Sequence, residues 1–216
     1  MRLSLNTARV RRTVALVLVG LVVLATRAAR AGAEIGTYGI ETVRARWLMG
    51  TVLEIRLPAD RPDREASFEA AFQAVSEVEE AASLWKAGTE LERVHARAAD
   101  GAATIVSAPL GALVAEALRI SELTGGAFSP AVGALVAAWD LRGSGRRPSL
   151  EERRRAAALS RASGVRYDPA TRELGPAPGV TLDLDGIAKG FALDRAAEAL
   201  RARGVDDALL NFGGQI

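Results

Sequence analysis

One stretch constrains this chain more than any other: Leu182-Asp183-Leu184-Asp185-Gly186-Ile187-Ala188-Lys189-Gly190-Phe191. Alternating apolar residues over Val180–Leu184 predict a buried strand, and the glycines that follow predict a turn. Helical spacing from Ile187 to Arg203, closed by Gly204, predicts the next element. A chain built around this unit must pack helix against sheet. Free amides at a helix start favour an anion, and glycine lets that anion approach the backbone. Lys189 adds a compact positive charge. Asp183 and Asp185 place hard oxygens beside the same spot, which suits Mg²⁺. The combination points to a metal-bound phosphate ester. It is not a P-loop, because no Gly-Lys-Ser/Thr triplet occurs there. The alternative is that Lys189 is a solvated first-turn lysine.

The rest of the chain mixes strands and helices without strict alternation, which predicts an α+β fold rather than a doubly wound sheet. Val43, Ala45 and Trp47 alternate with charged residues, as do Leu53, Ile55 and Leu57. Two half-buried strands meeting at Met49-Gly50-Thr51 follow from that period. Phe68, Ala71, Phe72, Val75 and Val78 recur at helical spacing after Pro62. Thr89 caps a short helix bearing Leu91, Val94 and Ala98, and Thr104–Val106 is a short strand. Ser107 and Pro109 open a helix that Gly125 stops, and Ser149 with Glu152 forms a capping box before another. Gly143–Pro148 is a polar linker. Strands are expected at Val165–Tyr167 and Ala208–Phe212.

The chain has no cysteine, so disulfides, thiolate nucleophiles and cysteine-held metals are excluded. Arg2, Arg9, Arg11 and Arg12 precede an apolar run from Val14 to Leu24, and Ala29-Arg30-Ala31 offers small residues for cleavage. Residues 1–31 therefore read as an export signal, with an uncleaved N-terminal anchor as the alternative. This segment holds six of the 28 basic residues and no acid. The remaining 22 basic and 26 acidic side chains leave a mildly acidic protein, which argues against nucleic-acid binding. Only two lysines occur, Lys86 and Lys189, and so strong a bias toward arginine reserves lysine for places needing a point charge.

Two further segments carry possible chemistry. Thr124-Gly125-Gly126-Ala127-Phe128-Ser129-Pro130 exposes amides between helices, and either binds a ligand or turns a corner. Trp85, in Ser83-Leu84-Trp85-Lys86, either stacks on a flat heterocycle or sits at the edge of the core. His95 has no partner nearby in sequence and reads as structural rather than catalytic.

Taken in order, Met49-Gly50-Thr51, Ser83–Lys86 with Glu90-Leu91, Gly125–Pro130 with Val132-Gly133, Leu135-Val136 and Trp139, Asp183–Gly190, and Asn211–Gly214 resemble the ApbE family of FAD-dependent flavin transferases. The resemblance spans residues from about 47 onward. It implies an exported, Mg²⁺-dependent α+β enzyme that cleaves FAD and attaches FMN to a threonine of an acceptor protein, releasing AMP. The acceptor would be a subunit of a membrane redox complex. By resemblance, Met49, Trp85, Ala127, Phe128, Ser129, Asp183 and Lys189 contact FAD, and the carbonyl of Gly186 ligates Mg²⁺. Ser129 stands where the family usually has aspartate, and His95 where asparagine is common. The sequence stops at Gly213-Gly214-Gln215-Ile216, directly after an apolar strand, which reads as a C-terminal truncation. The resemblance places the other magnesium ligands, and any catalytic residue, in a later portion. It follows that residues 32–216 form the N-terminal portion of the transferase domain and that the 216-residue chain is inactive by itself. An exported FAD-binding protein without transferase chemistry is the competing reading.

Overall fold

The computed structural model describes residues 41–216; the signal-like segment lies outside them. The described residues form two three-stranded antiparallel sheets with helices packed on and between them, in agreement with the expected α+β class.

The first sheet has the order β1-β2-β6. Strands β1 (Glu41–Leu48) and β2 (Thr51–Pro58) form a hairpin closed by the Leu48–Thr51 pair. Met49 and Gly50 make its two-residue turn with φ of 47° and 74°. Such tight hairpins need positive φ at both positions, which glycine supplies freely and methionine does not. β2 then pairs with β6 (Leu209–Phe212), setting Leu53 beside Phe212 and Ile55 beside Leu210.

Leu53, Ile55 and Leu57 face helix α1 (Arg64–Ala82), whose Phe68, Ala71, Phe72, Val75 and Val78 are all buried. On β1 the alternation is real, but its side differs from expectation. Val43 and Trp47 are exposed, and Arg44 and Arg46 share the inner face with Ile55 and Leu53. The guanidinium of Arg46 lies 4.4 Å from the Phe72 ring centre, and that of Arg44 lies 5.6 Å from Phe68. Their outer ends pair with Glu65 and Glu69. Arginine stems can seal an apolar margin while the charge stays in water, and inward-pointing charge suits a strand at the end of a sheet.

The capped helices form as expected. Helix α2 (Glu90–Ala99) starts under Thr89, α3 (Ala108–Leu123) under Ser107, and α5 (Leu150–Leu159) under the Ser149–Glu152 box. Between α3 and α5 lies a short α4 (Gly133–Ala138). The second sheet joins β3 (Thr104–Ile105), β5 (Glu173–Pro176) and β4 (Val165–Asp168). β5 was not anticipated; its Leu174 is fully buried.

The segment 180–184 is buried at Val180, Leu182 and Leu184, but it pairs with no strand. Its polar groups bond to loops instead. Asp183 N–H donates to the Pro130 carbonyl (2.7 Å), and the Thr181 carbonyl accepts from Gly133 N–H (3.1 Å). Burial alone produced the alternation; buried amides require partners, but these need not come from a ladder. Helix α6 (Asp185–Ala202) begins two residues earlier than its periodicity implies, so Gly186 sits in the first helical turn. Ala188, Ala192 and Ala196 form a small-residue stripe, and α6 packs closely against α1.

Candidate functional site

The start of α6, the end of α1 and the hairpin turn converge on a cleft of about 610 Å³. Trp47, Met49 and Gly50 supply one wall, Glu79 and Ala82 another, Ser83, Trp85 and Lys86 a third, and Asp185, Ala188 and Lys189 the last. This volume falls in the range of small-molecule sites, roughly 300–1,000 Å³. Both lysines of the chain line it.

Glu79 organises one side. Its buried carboxylate accepts from Met49 N–H at 2.9 Å through Oε1 and pairs with Lys86 Nζ at 2.7 Å through Oε2. The same side chain thus anchors the hairpin turn and a cleft lysine. Trp85 is 68% exposed, and its Nε1 donates to Asp185 Oδ2 at 3.0 Å. Arg142 Nη2 donates to that same oxygen at 3.1 Å and to Asp183 Oδ2 at 2.7 Å. The arginine's guanidinium lies 5.5 Å from the Trp85 ring centre. Burial works against the Arg142 charge, but the Asp183 and Asp185 carboxylates outweigh it and hold its pKa above the ordinary value.

Of the residues expected at the site, Met49, Trp85 and Lys189 share the cleft. Asp183 lies behind it, only 5% exposed, with Oδ1 taken by Asp185 N–H and Oδ2 by Arg142. Asp183 therefore offers no free oxygen, whereas Asp185 is bonded through Oδ2 alone. Phe128 packs over the start of α6: a Cβ added at Gly186 would sit 3.5 Å from its ring. Ala127 and Ser129 open on a different cavity, of about 640 Å³, between α3 and residues 157–163. There Ser129 Oγ donates to the Ser160 carbonyl at 2.8 Å.

His95 proves structural. Its Nε2 accepts from Leu182 N–H at 3.1 Å, so it holds the 180–184 segment in place. Burial lowers its pKa, which favours the neutral ring this bond requires.

Trp47, Glu79 and Arg142 escaped the sequence reading of the site. Glu79 left a signal, an acid following Val75 and Val78 on a buried stripe. Lys86 was marked by the scarcity of lysine and by its place in Ser83–Lys86. Arg142 left none.

Among the described residues no group of three or more His, Cys, Asp or Glu gathers as a metal site. A cation held by this chain alone does not fit that donor set. A magnesium ion that keeps water and phosphate oxygens needs only one or two protein ligands; Gly186 lies in the first turn of α6, next to Asp185 of the cleft wall.

Fold and cleft together define a class: an α+β protein with a ligand cleft at a helix start, walled by tryptophan and lysine. Residues 49–216 match the ApbE family, and the chain belongs to that family. It is 34% identical over 187 residues to the FAD:protein FMN transferase of Treponema pallidum, covering 82% of this chain and 51% of that protein. It is 31% identical over 171 residues to that of Klebsiella pneumoniae, covering 78% and 53%. Among solved structures it resembles the Pseudomonas stutzeri flavinyl transferase ApbE (TM-score 0.73, 25% identity, 82% of this chain and 60% of that one). The ApbE protein of Thermotoga maritima is similar at a TM-score of 0.71 and 25% identity, over 81% and 57%. The chain spans about half the length of the curated relatives it matches.

Proposed function

We propose that this chain binds FAD in the cleft between the hairpin turn and α6, as part of a Mg²⁺-dependent FAD:protein FMN transferase. The observation that carries the reading is the convergence of Met49, Trp85 and Lys189, from distant parts of the sequence, on one cavity. Trp85 offers a broad ring face for a flat heterocycle. Lys86 and Lys189, both in the cleft wall, offset the charge of a diphosphate. In the reaction an acceptor threonine hydroxyl attacks the FMN phosphorus. A new P–O bond forms, the pyrophosphate P–O bond breaks to release AMP, and the hydroxyl proton passes to solvent. Such a step depends mostly on positioning and charge neutralisation, which the cleft lysines contribute. Magnesium, when bound, withdraws electron density from the same phosphates. We place the mature protein outside the cytoplasm, in the periplasm or at the outer face of the membrane, on the strength of residues 1–31. The expected acceptor is a subunit of a membrane redox complex.

The test is incubation with FAD, Mg²⁺ and a threonine-bearing acceptor protein, followed by denaturing electrophoresis under ultraviolet light. Flavin fluorescence that stays with the acceptor supports the reading. Absence of flavin binding, read separately by quenching of flavin emission, refutes it. One observation favours a second reading, FAD binding without transfer: both Asp183 and Asp185 are held by Arg142. Binding without a fluorescent acceptor band would decide for it.

A further inference from the structure

Trp85, Asp185 and Arg142 form a closed cycle. The indole N–H bonds to Asp185, Asp185 bonds to Arg142, and the Arg142 guanidinium lies over the indole at 5.5 Å from its centre. Arg142 is fixed in turn by the buried carboxylate of Asp183 at 2.7 Å. An exposed tryptophan on a loop is otherwise free to sample rotamers on the picosecond to nanosecond scale. Here it is held at its N–H edge and beside its ring, and both contacts lead to one arginine, Arg142, far along the sequence from the indole's own loop. Arginine suits this place because a planar guanidinium can stack on the ring and also donate to carboxylates. We infer that Arg142 is a positioning residue: through Asp185 it sets the pose in which Trp85 presents its ring to the cleft, and thereby the cleft's affinity for a flat heterocycle.

The identity of that heterocycle as flavin or adenine rests on the proposed function; the tether does not. Arg142 is not itself a wall of the cleft, so its effect on a ligand must pass through Trp85, Asp185 or their shared charge. Removing it leaves Asp185 free to move and takes the indole's second anchor away.

The experiment measures Trp85 directly. In protein carrying Trp47→Phe and Trp139→Phe, Trp85 is the sole tryptophan, and time-resolved anisotropy reports its local motion. Arg142→Met should raise the amplitude of fast depolarisation about twofold. Asp185→Ala should do the same, and the pair together should do no more than either alone. Arg142→Lys should restore part of the restraint, since the charge remains without the stacking plane. FAD affinity, measured with the native tryptophans, should fall about tenfold in Arg142→Met, on the scale of a lost cation–π contact and a loosened ring. In a Trp85→Ala background the same change should cost almost nothing further. Unchanged Trp85 motion overturns the inference. So does full additivity of the Arg142 and Trp85 losses, and so does unchanged FAD affinity in a protein whose Trp85 has loosened. If the unmodified protein binds no FAD, the proposed function fails, and the anisotropy of Trp85 alone decides the tether. Should Arg142→Met lose its helical circular dichroism, Asp185→Ala serves as the deciding variant, because that side chain lies at the surface.

Discussion

Glu79 offers the sharpest test of how the cleft is built, because its two oxygens do separable jobs. Oε1 accepts from the backbone of Met49, and Oε2 pairs with Lys86. Glu79→Ala removes both. A hydrogen bond to a charged, buried acceptor contributes about 1.5–3 kcal/mol. The ion pair contributes less, about 0–1 kcal/mol, because Lys86 is 53% exposed and water screens it. The expected loss is therefore about 2–3 kcal/mol, or roughly 5–10 °C in Tm for a domain of this size. Glu79→Gln keeps an oxygen for the Met49 amide and loses only the charge opposite Lys86. Its loss should stay near 1 kcal/mol, roughly 2–4 °C. Thermal unfolding followed by circular dichroism at 222 nm measures both, and raising the salt concentration should narrow the gap between Glu79→Gln and the parent. A glutamine variant as unstable as the alanine one would show that charge, not anchorage of the turn, is what Glu79 provides. An alanine variant with unchanged Tm would refute both roles.

Other perturbations follow from the same contacts. Met49 has φ of 47°, where asparagine is better tolerated, so Met49→Asn should raise stability by about 0.5–1 kcal/mol in chemical denaturation while weakening FAD binding. His95 has its pKa lowered by burial, so its contribution is complete above about pH 6.5 and declines as pH falls through that value, where the unfolded chain takes up the proton first. The parent should therefore lose stability between pH 7 and 5, and His95→Gln, which removes the only histidine, should flatten that slope in urea titrations. Gly133→Ala would bring a Cβ to 2.7 Å from the Thr181 carbonyl oxygen, so it should cost about 1–3 kcal/mol in denaturant unfolding and loosen the 180–184 segment; a neutral result would mean that segment yields freely.

The legible parts of this chain were the local ones. Thr89, Ser107 and Ser149 each bond the amide three positions ahead, so caps can be read without knowing what lies across the core. The same holds for Met49-Gly50 between two alternating runs, and for the stripe on α1. Errors arose where the partner is remote. Alternation on β1 identified a strand, but the inner side was settled by Phe68 and Phe72, aromatic faces that accept arginine as readily as an aliphatic residue. Alternation at 180–184 identified burial, but hydrogen bonds to Pro130, Gly133 and His95 replaced a ladder. The period of a buried segment reports which side chains avoid water and says nothing of where its amides are satisfied.

The site divides in the same way. Lys189 could be placed because it lies one turn into a helix whose start was recognisable. Arg142 could not, because its carboxylates lie some forty residues further on, in a segment held by bonds between Gly133 and Thr181 and between Pro130 and Asp183. The start of α6 attracts negative charge, and Asp185 in its first turn already occupies that field. An incoming diphosphate would meet that carboxylate in the cleft wall, where Lys86 and Lys189 also stand. Arg142 bonds Asp185 from behind and Asp183 beside it. The arginine that no motif marked thus fixes the carboxylate that holds the indole.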